Sequence, residues 1–176
     1  MFNWFYDAFE AIRDFVELGG DVLFLIALTI FLMWMLVFER LVFFQVELGK
    51  RRAAIQDAWE GRAERRSWEA QQIRDRLVAD FDMAVRRSLP LVQTLVALCP
   101  LLGLLGTVTG MIEVFDVMAV EGSGNPRSMA SGVSKATIPT MAGMVGALSG
   151  VFWTTYLNRR ADRQIEDLEE RLAMDR

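Results

Sequence analysis

Cys99-Pro-Leu-Leu-Gly-Leu-Leu-Gly-Thr-Val-Thr-Gly110 and Gly143-Met-Val-Gly-Ala-Leu-Ser-Gly150 share one glycine spacing, G-x-x-G-x-x-x-G, set in apolar sequence. The glycines concerned are Gly103, Gly106 and Gly110 in the first stretch and Gly143, Gly146 and Gly150 in the second. In a bilayer, apolar side chains gain nothing by leaving lipid for one another. Spanning helices therefore associate through close backbone approach at small residues. The repeated spacing predicts two spanning helices that pack closely, in an assembly more than in a lone anchor.

Working outward, the chain has 176 residues, 53% of them hydrophobic, with a mean hydropathy of +0.25. The apolar residues gather in three windows, Val22–Phe38, Leu91–Ile112 and Ala136–Leu157, none containing Asp, Glu, Lys or Arg. A spanning helix needs about 20 mostly apolar residues. The second and third windows meet that directly, and Leu41–Phe44 extends the first past Glu39 and Arg40. Three such windows exceed what the polar helices of a chain this size could cover in water. The fold expected is an all-α integral membrane protein with three transmembrane helices and long cytoplasmic helical extensions.

Met1–Gly20 shows no basic stretch and no small-residue cleavage site of a secretory signal. The single cysteine, Cys99, lies inside the second window, so no intrachain disulfide forms. There is no histidine, no cluster with metal-ligand spacing and no phosphate-cradling glycine loop. No cofactor, no metal and no enzymatic activity are expected.

Lys and Arg are distributed unevenly. Glu39–Arg87 holds eleven and Asn158–Arg176 five, whereas Met1–Asp21 has only Arg13 and Glu113–Lys135 only Arg127 and Lys135. Cytoplasmic segments are enriched in these residues next to the spans. The predicted topology is an outer interfacial helix (1–20), first span (21–44), cytoplasmic helical segment (45–90), second span (91–112), outer loop (113–135), third span (136–157) and cytoplasmic helical tail (158–176). Interleaved acids, and an orientation rule that already explains the basic bias, argue against nucleic acid as a partner.

Phe5, Phe9, Ile12 and Val16 recur at helical spacing with acids on other faces, and Trp4 and Tyr6 suit an interface. Gly19-Gly20 ends that helix, and Asp21 is a plausible N-cap for the first span. In the cytoplasmic segment Gly61 is the main interruption, after which Ile73, Leu77, Phe81 and Val85 form a packing face. A solvated hairpin and an inner vestibule of an oligomer both predict that face. With no proline before Pro90, this helix is expected to run into the second span. The outer loop is turn-rich from Glu121 to Pro126. Ile165, Leu168 and Leu172 keep helical spacing in the tail.

On a helical wheel, Gly103, Gly106, Thr107 and Gly110 share an arc of about 100°. The third span has a similar small-residue stripe, from Ala136 through Thr140 to Thr154. Thr107 and Thr140 each lie about 9 Å outward of their window centres, which predicts a common depth. Each hydroxyl either bonds its own helix or joins a shared polar ring. Glu113 and Lys135 end the same helices, about 18 and 16 Å from the centres. They read either as interfacial charges or as a paired outer gate. Pro100 and Pro139 each remove one amide donor within a span and act as hinges or as tolerated kinks. The windows hold no titratable carboxylate or histidine, so a proton path would need that group from another subunit.

The run Cys99–Gly110 resembles the signature of the MotA/TolQ/ExbB family of proton-channel subunits. Gly132-Val-Ser-Lys-Ala-Thr-Ile-Pro-Thr-Met-Ala-Gly143 looks like that family's entry to the last span, and the likeness extends from Ile73 to Arg171. It is nearest to the short ExbB-type subunits of TonB systems. The resemblance implies a homopentamer around a dimer of ExbD-like helices, each supplying an intramembrane aspartate. It places Thr107 and Thr140 at pore-facing threonines. The family usually has glutamate where this chain has Lys135. The implied function is an inner-membrane motor subunit, driven by proton-motive force, that energises a TonB-like protein for outer-membrane transport. A TolQ-like role in envelope maintenance and a non-conducting membrane scaffold are the alternatives.

Overall fold

A computed structural model describes residues 2–62, 64–65, 67–121 and 126–172. Its elements are α1 (Phe2–Val46), α2 (Leu48–Glu60), α3 (Trp68–Arg86), α4 (Leu89–Glu121) and α5 (Pro126–Arg171), with no strand among the described residues. Three helical stretches, Gly20–Val46, Trp68–Val120 and Lys135–Arg171, are long and apolar enough to cross a membrane. Large side chains such as Phe24, Phe31, Leu101, Leu148 and Phe152 are more than half exposed along them. A water-soluble surface rarely carries apolar area on that scale, whereas a bilayer covers it. The all-α membrane architecture expected from the three windows is what forms.

Within α1 the backbone breaks helical geometry at Gly20, with φ 64° and ψ −165°. That region is essentially glycine's alone. The break falls where Gly19-Gly20 predicts one. Side chains at 2–19 lie outside the described residues, and with them the amphipathic face of Phe5, Phe9, Ile12 and Val16 and the ring placement of Trp4 and Tyr6.

Two sequence expectations change. The helix of the cytoplasmic segment does not pass unbroken into the second span: α3 ends at Arg86 and α4 begins at Leu89. Pro90 has no amide to give the Arg86 carbonyl, so the ladder loses a rung there. Arg87 keeps helical dihedrals (φ −45°, ψ −46°), so the interruption is short. The stretch 113–135, expected as a loop, is largely helical: α4 continues to Glu121 and α5 starts at Pro126. Nothing from Glu113 to Glu121 is a Gly or Pro, so intrahelical bonding continues past the apolar window. Pro126 takes the first position of α5, where its missing amide has no helical partner to lose. The turn-rich residues 122–125 lie outside the described residues.

The chain divides into two compact units, residues 1–33 with 94–151, and residues 34–93 with 152–176. In the first unit Leu23, Ile26 and Met33 of α1 are buried at helical spacing, as are Cys99 of α4 and Ala136 of α5. α4 and α5 meet where neither has a side chain. A Cβ on Gly143 would strike the Cys99 carbonyl and lie 3.3 Å from Gly103 Cα, and one on Gly103 would lie 2.9 Å from Thr140 Cα.

In the second unit, buried Phe81, Val85, Leu89 and Val92 form one stripe across the α3–α4 interruption, and Leu157, Ala161, Leu168 and Leu172 form another on α5. Ser67 Oγ accepts the Ala70 amide at 3.1 Å and caps α3. Arg74 donates to the carbonyls of Leu172 (2.7 Å) and Glu169 (3.1 Å), satisfying acceptors at the end of α5. Arg86 bridges Asp82 and Asp162 at 2.6 Å each. Those two carboxylates, Asp82 foremost, hold its proton more tightly than usual. All three side chains are about half exposed, so each link contributes at most about 1 kcal/mol.

Arg40 of α1 is 2% exposed. Its Nη1 donates to the Ala84 carbonyl at 3.1 Å, and its guanidinium sits 4.9 Å from the centre of the Phe43 ring. Its Nε and Nη2 have no hydrogen-bond partner, with Glu39 Oε2 at 3.9 Å from Nε. Glu39 accepts from Ser88 Oγ at 3.1 Å. Adjacent residues of α1 thus hold the last turn of α3 and the interruption that follows it.

Four variants test this packing, all read from thermal unfolding of the protein in detergent. Gly143→Leu lowers stability by about 3 kcal/mol or prevents assembly, because backbone on the other side cannot yield. Gly49→Ala, at a helical glycine with open space around it, raises stability by about 0.5–1 kcal/mol. Arg40→Ala costs about 2–4 kcal/mol through the cavity and the lost bond to Ala84. Arg40→Met costs distinctly less, since it fills the space and removes two unpartnered donors.

Candidate functional site

The candidate site lies in the first unit, on α4 from Cys99 to Glu113 and α5 from Lys135 to Gly150. Glycine decides how these helices meet. Gly106 receives the buried Pro139 ring, whose Cγ would lie 2.8 Å from an added Cβ, and Gly110 receives Ala136 at 2.6 Å. Gly146 and Gly150 turn instead to α1, against Ile30 and Met33, and Gly150 also touches Val96. The two glycine stripes therefore serve packing within one chain: four on the α4–α5 seam, Gly146 against α1, and Gly150 between α4 and α1. Pro100 and Pro139 both sit inside helices that continue past them. Pro139 acts as a knob on the seam, whereas Pro100 is exposed.

The two threonines are used differently. Thr107 Oγ1 donates to the Leu104 carbonyl of its own helix at 2.7 Å. Thr140 Oγ1 crosses the seam and donates to the Gly103 carbonyl at 2.9 Å. Their expected common depth is not what forms. Thr140 stands opposite Gly103, one turn from Thr107, a displacement of about 6 Å along α4. Window centres cannot supply register, because the glycine and proline contacts set it.

Glu113 and Lys135 come together, with Lys135 Nζ 3.1 Å from Glu113 Oε2 and both side chains partly exposed. Beside them is a cavity of about 250 Å³ lined by Gly20, Asp21, Val22, Gly106, Thr109, Gly110, Glu113 and Lys135. Thr109 Oγ1 donates to the carbonyls of Gly106 (3.1 Å) and Leu105 (3.2 Å). Sequence reasoning missed Thr109 and Val22 as lining residues and read Asp21 only as a cap. The available signal was spacing: Thr109 lies one turn from Gly106 and Glu113 on the same face of α4. Among the described residues no group of His, Cys, Asp and Glu side chains could hold a metal ion. The Cys99 thiol is buried on the seam.

The site therefore combines a close-packed helix pair, one interhelical hydroxyl–carbonyl bond, an ion pair and a polar cavity. It offers hydroxyls and carbonyls to a proton, and no carboxylate or histidine in the apolar windows themselves.

Comparison with known proteins agrees with this picture. The MotA/TolQ/ExbB proton channel family matches residues 45–170. An ExbB-like biopolymer transport protein of Synechocystis is 46% identical over 74 residues, covering 40% of this chain and 29% of that protein. The biopolymer transport protein exbB1 of Vibrio cholerae is 45% identical over 74 residues, 42% of this chain and 32% of that one. An ExbB homologue from Methanothermobacter thermautotrophicus is 32% identical over 83 residues, 47% of this chain and 29% of the relative. The matched stretch thus spans about a third of the length of these relatives. No solved structure matches the chain. The family match takes in both helices of the seam and most of the chain, and on it this multi-pass membrane protein belongs to the MotA/TolQ/ExbB proton channel family, near its ExbB-type members.

Proposed function

We propose that this chain is an inner-membrane, ExbB-like subunit of a motor driven by proton-motive force, which energises TonB-dependent transport across an outer membrane. The observation that carries the reading is the family match across residues 45–170, which includes α4 and most of α5 with their threonines. The apolar windows contain no carboxylate, so the titrating group belongs to a partner: an ExbD-like helix with an intramembrane aspartate, clasped by a homopentamer of this chain. A TonB-like protein receives the motion. The chain itself is not an enzyme. The Lys/Arg distribution supports a periplasmic N-terminus and a cytoplasmic C-terminus. With spans read from the apolar windows at 21–44, 91–112 and 136–157, this orientation puts the interfacial helix 1–20 outside and the segments 45–90 and 158–176 inside. A charge crossing about 100 mV releases about 2.3 kcal/mol, so several protons drive each mechanical cycle.

In this reading Thr107 and Thr140 line the proton path, and Glu113 with Lys135 forms an outer gate. Thr140 has a second duty, since its hydroxyl also ties α5 to α4.

The test is dye-reported proton flux in vesicles holding the chain and its ExbD-like partner. The Thr107→Val, Thr140→Val double variant is expected to lose most of the flux, and flux equal to wild type removes the hydroxyls from the path. Of the single variants, Thr140→Val lowers thermal stability by about 0.6–1.7 kcal/mol through the lost interhelical bond. Thr107→Val leaves stability nearly unchanged.

For the gate, Glu113→Lys alone sets two cations together and impairs energised uptake. Combining it with Lys135→Glu restores uptake if the pairing itself matters. Uptake unchanged in both single charge reversals refutes the gate.

A further inference from the structure

The cavity beside the ion pair runs deeper than an interfacial charge needs. Its rim carries Asp21, Glu113 and Lys135, and its floor reaches Gly106 and Thr109. From Glu113 to Gly106 is seven residues of α4, about 10 Å along the helix. Gly106, Thr109 and Gly110 all fall inside the apolar window Leu91–Ile112. At those glycines the wall is backbone.

The lining is mixed, with Val22 and three glycines beside the charged and hydroxyl groups. Two carboxylates, one ammonium and one hydroxyl face about 250 Å³ of space. Apolar cavities stay dry, but a roomy polar one holds water, at about 30 Å³ per molecule or roughly eight here. In a bilayer, polar groups at this depth are tolerated when they line water. At the rim, the left-handed backbone of Gly20 meets no atom within 4 Å of where a Cβ would stand.

We infer that each chain contains its own water-filled vestibule, opening at Asp21, Glu113 and Lys135 and ending at Thr109 and Gly106, which admits small hydrophilic cations. Thr109 and Thr107 are two residues apart, about 200° around α4. Thr107 is not among the lining residues, although it stands about 60° from Gly110 around α4, so a path lined by Thr107 runs beside the vestibule and not through it. With two carboxylates and one ammonium its fixed charge is net negative, which favours cations over anions. Water at the rim also weakens the Glu113–Lys135 attraction and leaves the pair free to separate. The proposed function enters only through sidedness, since the rim is periplasmic if the N-terminus is.

The test is modification by a permanently charged cationic methanethiosulfonate, with the complete complex in right-side-out and in inverted membrane vesicles. Val22→Cys and Thr109→Cys probe opposite walls. Ile26→Cys, one turn deeper on α1 and 1% exposed, and the native Cys99, 0% exposed, serve as buried references. Thiol modification follows access, so both wall positions are expected to react at least roughly tenfold faster than both references. Reaction from right-side-out vesicles fits a periplasmic rim. Reaction only from inverted vesicles keeps the vestibule and overturns the proposed orientation. The vestibule is refuted if either wall position reacts no faster than Ile26→Cys in both kinds of vesicle. Should Thr109→Cys fail to assemble, Val22→Cys against Ile26→Cys decides alone.

Discussion

Everything in the first unit depends on α4 and α5 approaching until backbone touches backbone. Lipid offers apolar side chains as good a home as another helix does, so burial of Leu or Phe cannot hold spanning helices together. What holds them is dispersion at very short range, and that requires side chains to be absent. Gly103 and Gly143 meet with Cys99 and Thr140 backbone against them. At that separation the Thr140 hydroxyl reaches a main-chain carbonyl across the seam. The Pro139 ring also fits the space that Gly106 leaves open. One steric fact thus fixes the register, the interhelical bond and the position of the proline together.

The second unit follows different rules. Its helices α2 and α3 carry charge, and its core uses large side chains: Trp59, Phe81, Leu157 and Leu168 are almost wholly buried. Polar contacts are used where the backbone ladder fails. Arg74 collects the last carbonyls of α5, Arg40 holds the last turn of α3, and Glu39 holds Ser88 within the interruption. Arg40 makes one hydrogen bond and leaves two donors unpartnered. Its place is explained by position more than by strength, since a buried charge of this kind adds little net stability.

Much of this was legible without coordinates. Three charge-free windows announce three spans, because a bilayer imposes length and apolarity on any helix that crosses it. The glycine spacing announces close packing, and Gly19-Gly20 a break. That Glu113 and Lys135 end their spans on the same side was legible from helix rise, but their contact was decided by the seam. Other features were not. That Gly146 turns to α1 and Gly150 sits between α1 and α4, while the other four glycines make the α4–α5 seam, depends on how three helices share a wheel, and spacing within one helix says nothing of that. Thr109 was not singled out, because the small-residue stripe runs through Thr107, and two residues on a helix put the two hydroxyls on different faces.

By itself, then, the sequence determined the class of protein, the number of apolar crossings, the small-residue stripes and the family likeness, since all of these are properties of one segment read along its own axis. The tertiary structure alone decided register, the duty of each threonine hydroxyl and the existence of a polar cavity among α1, α4 and α5. These depend on which faces of separate helices meet. That choice is made by steric contact between residues distant in the chain, such as Gly106 with Pro139, and no periodicity within either helix encodes it.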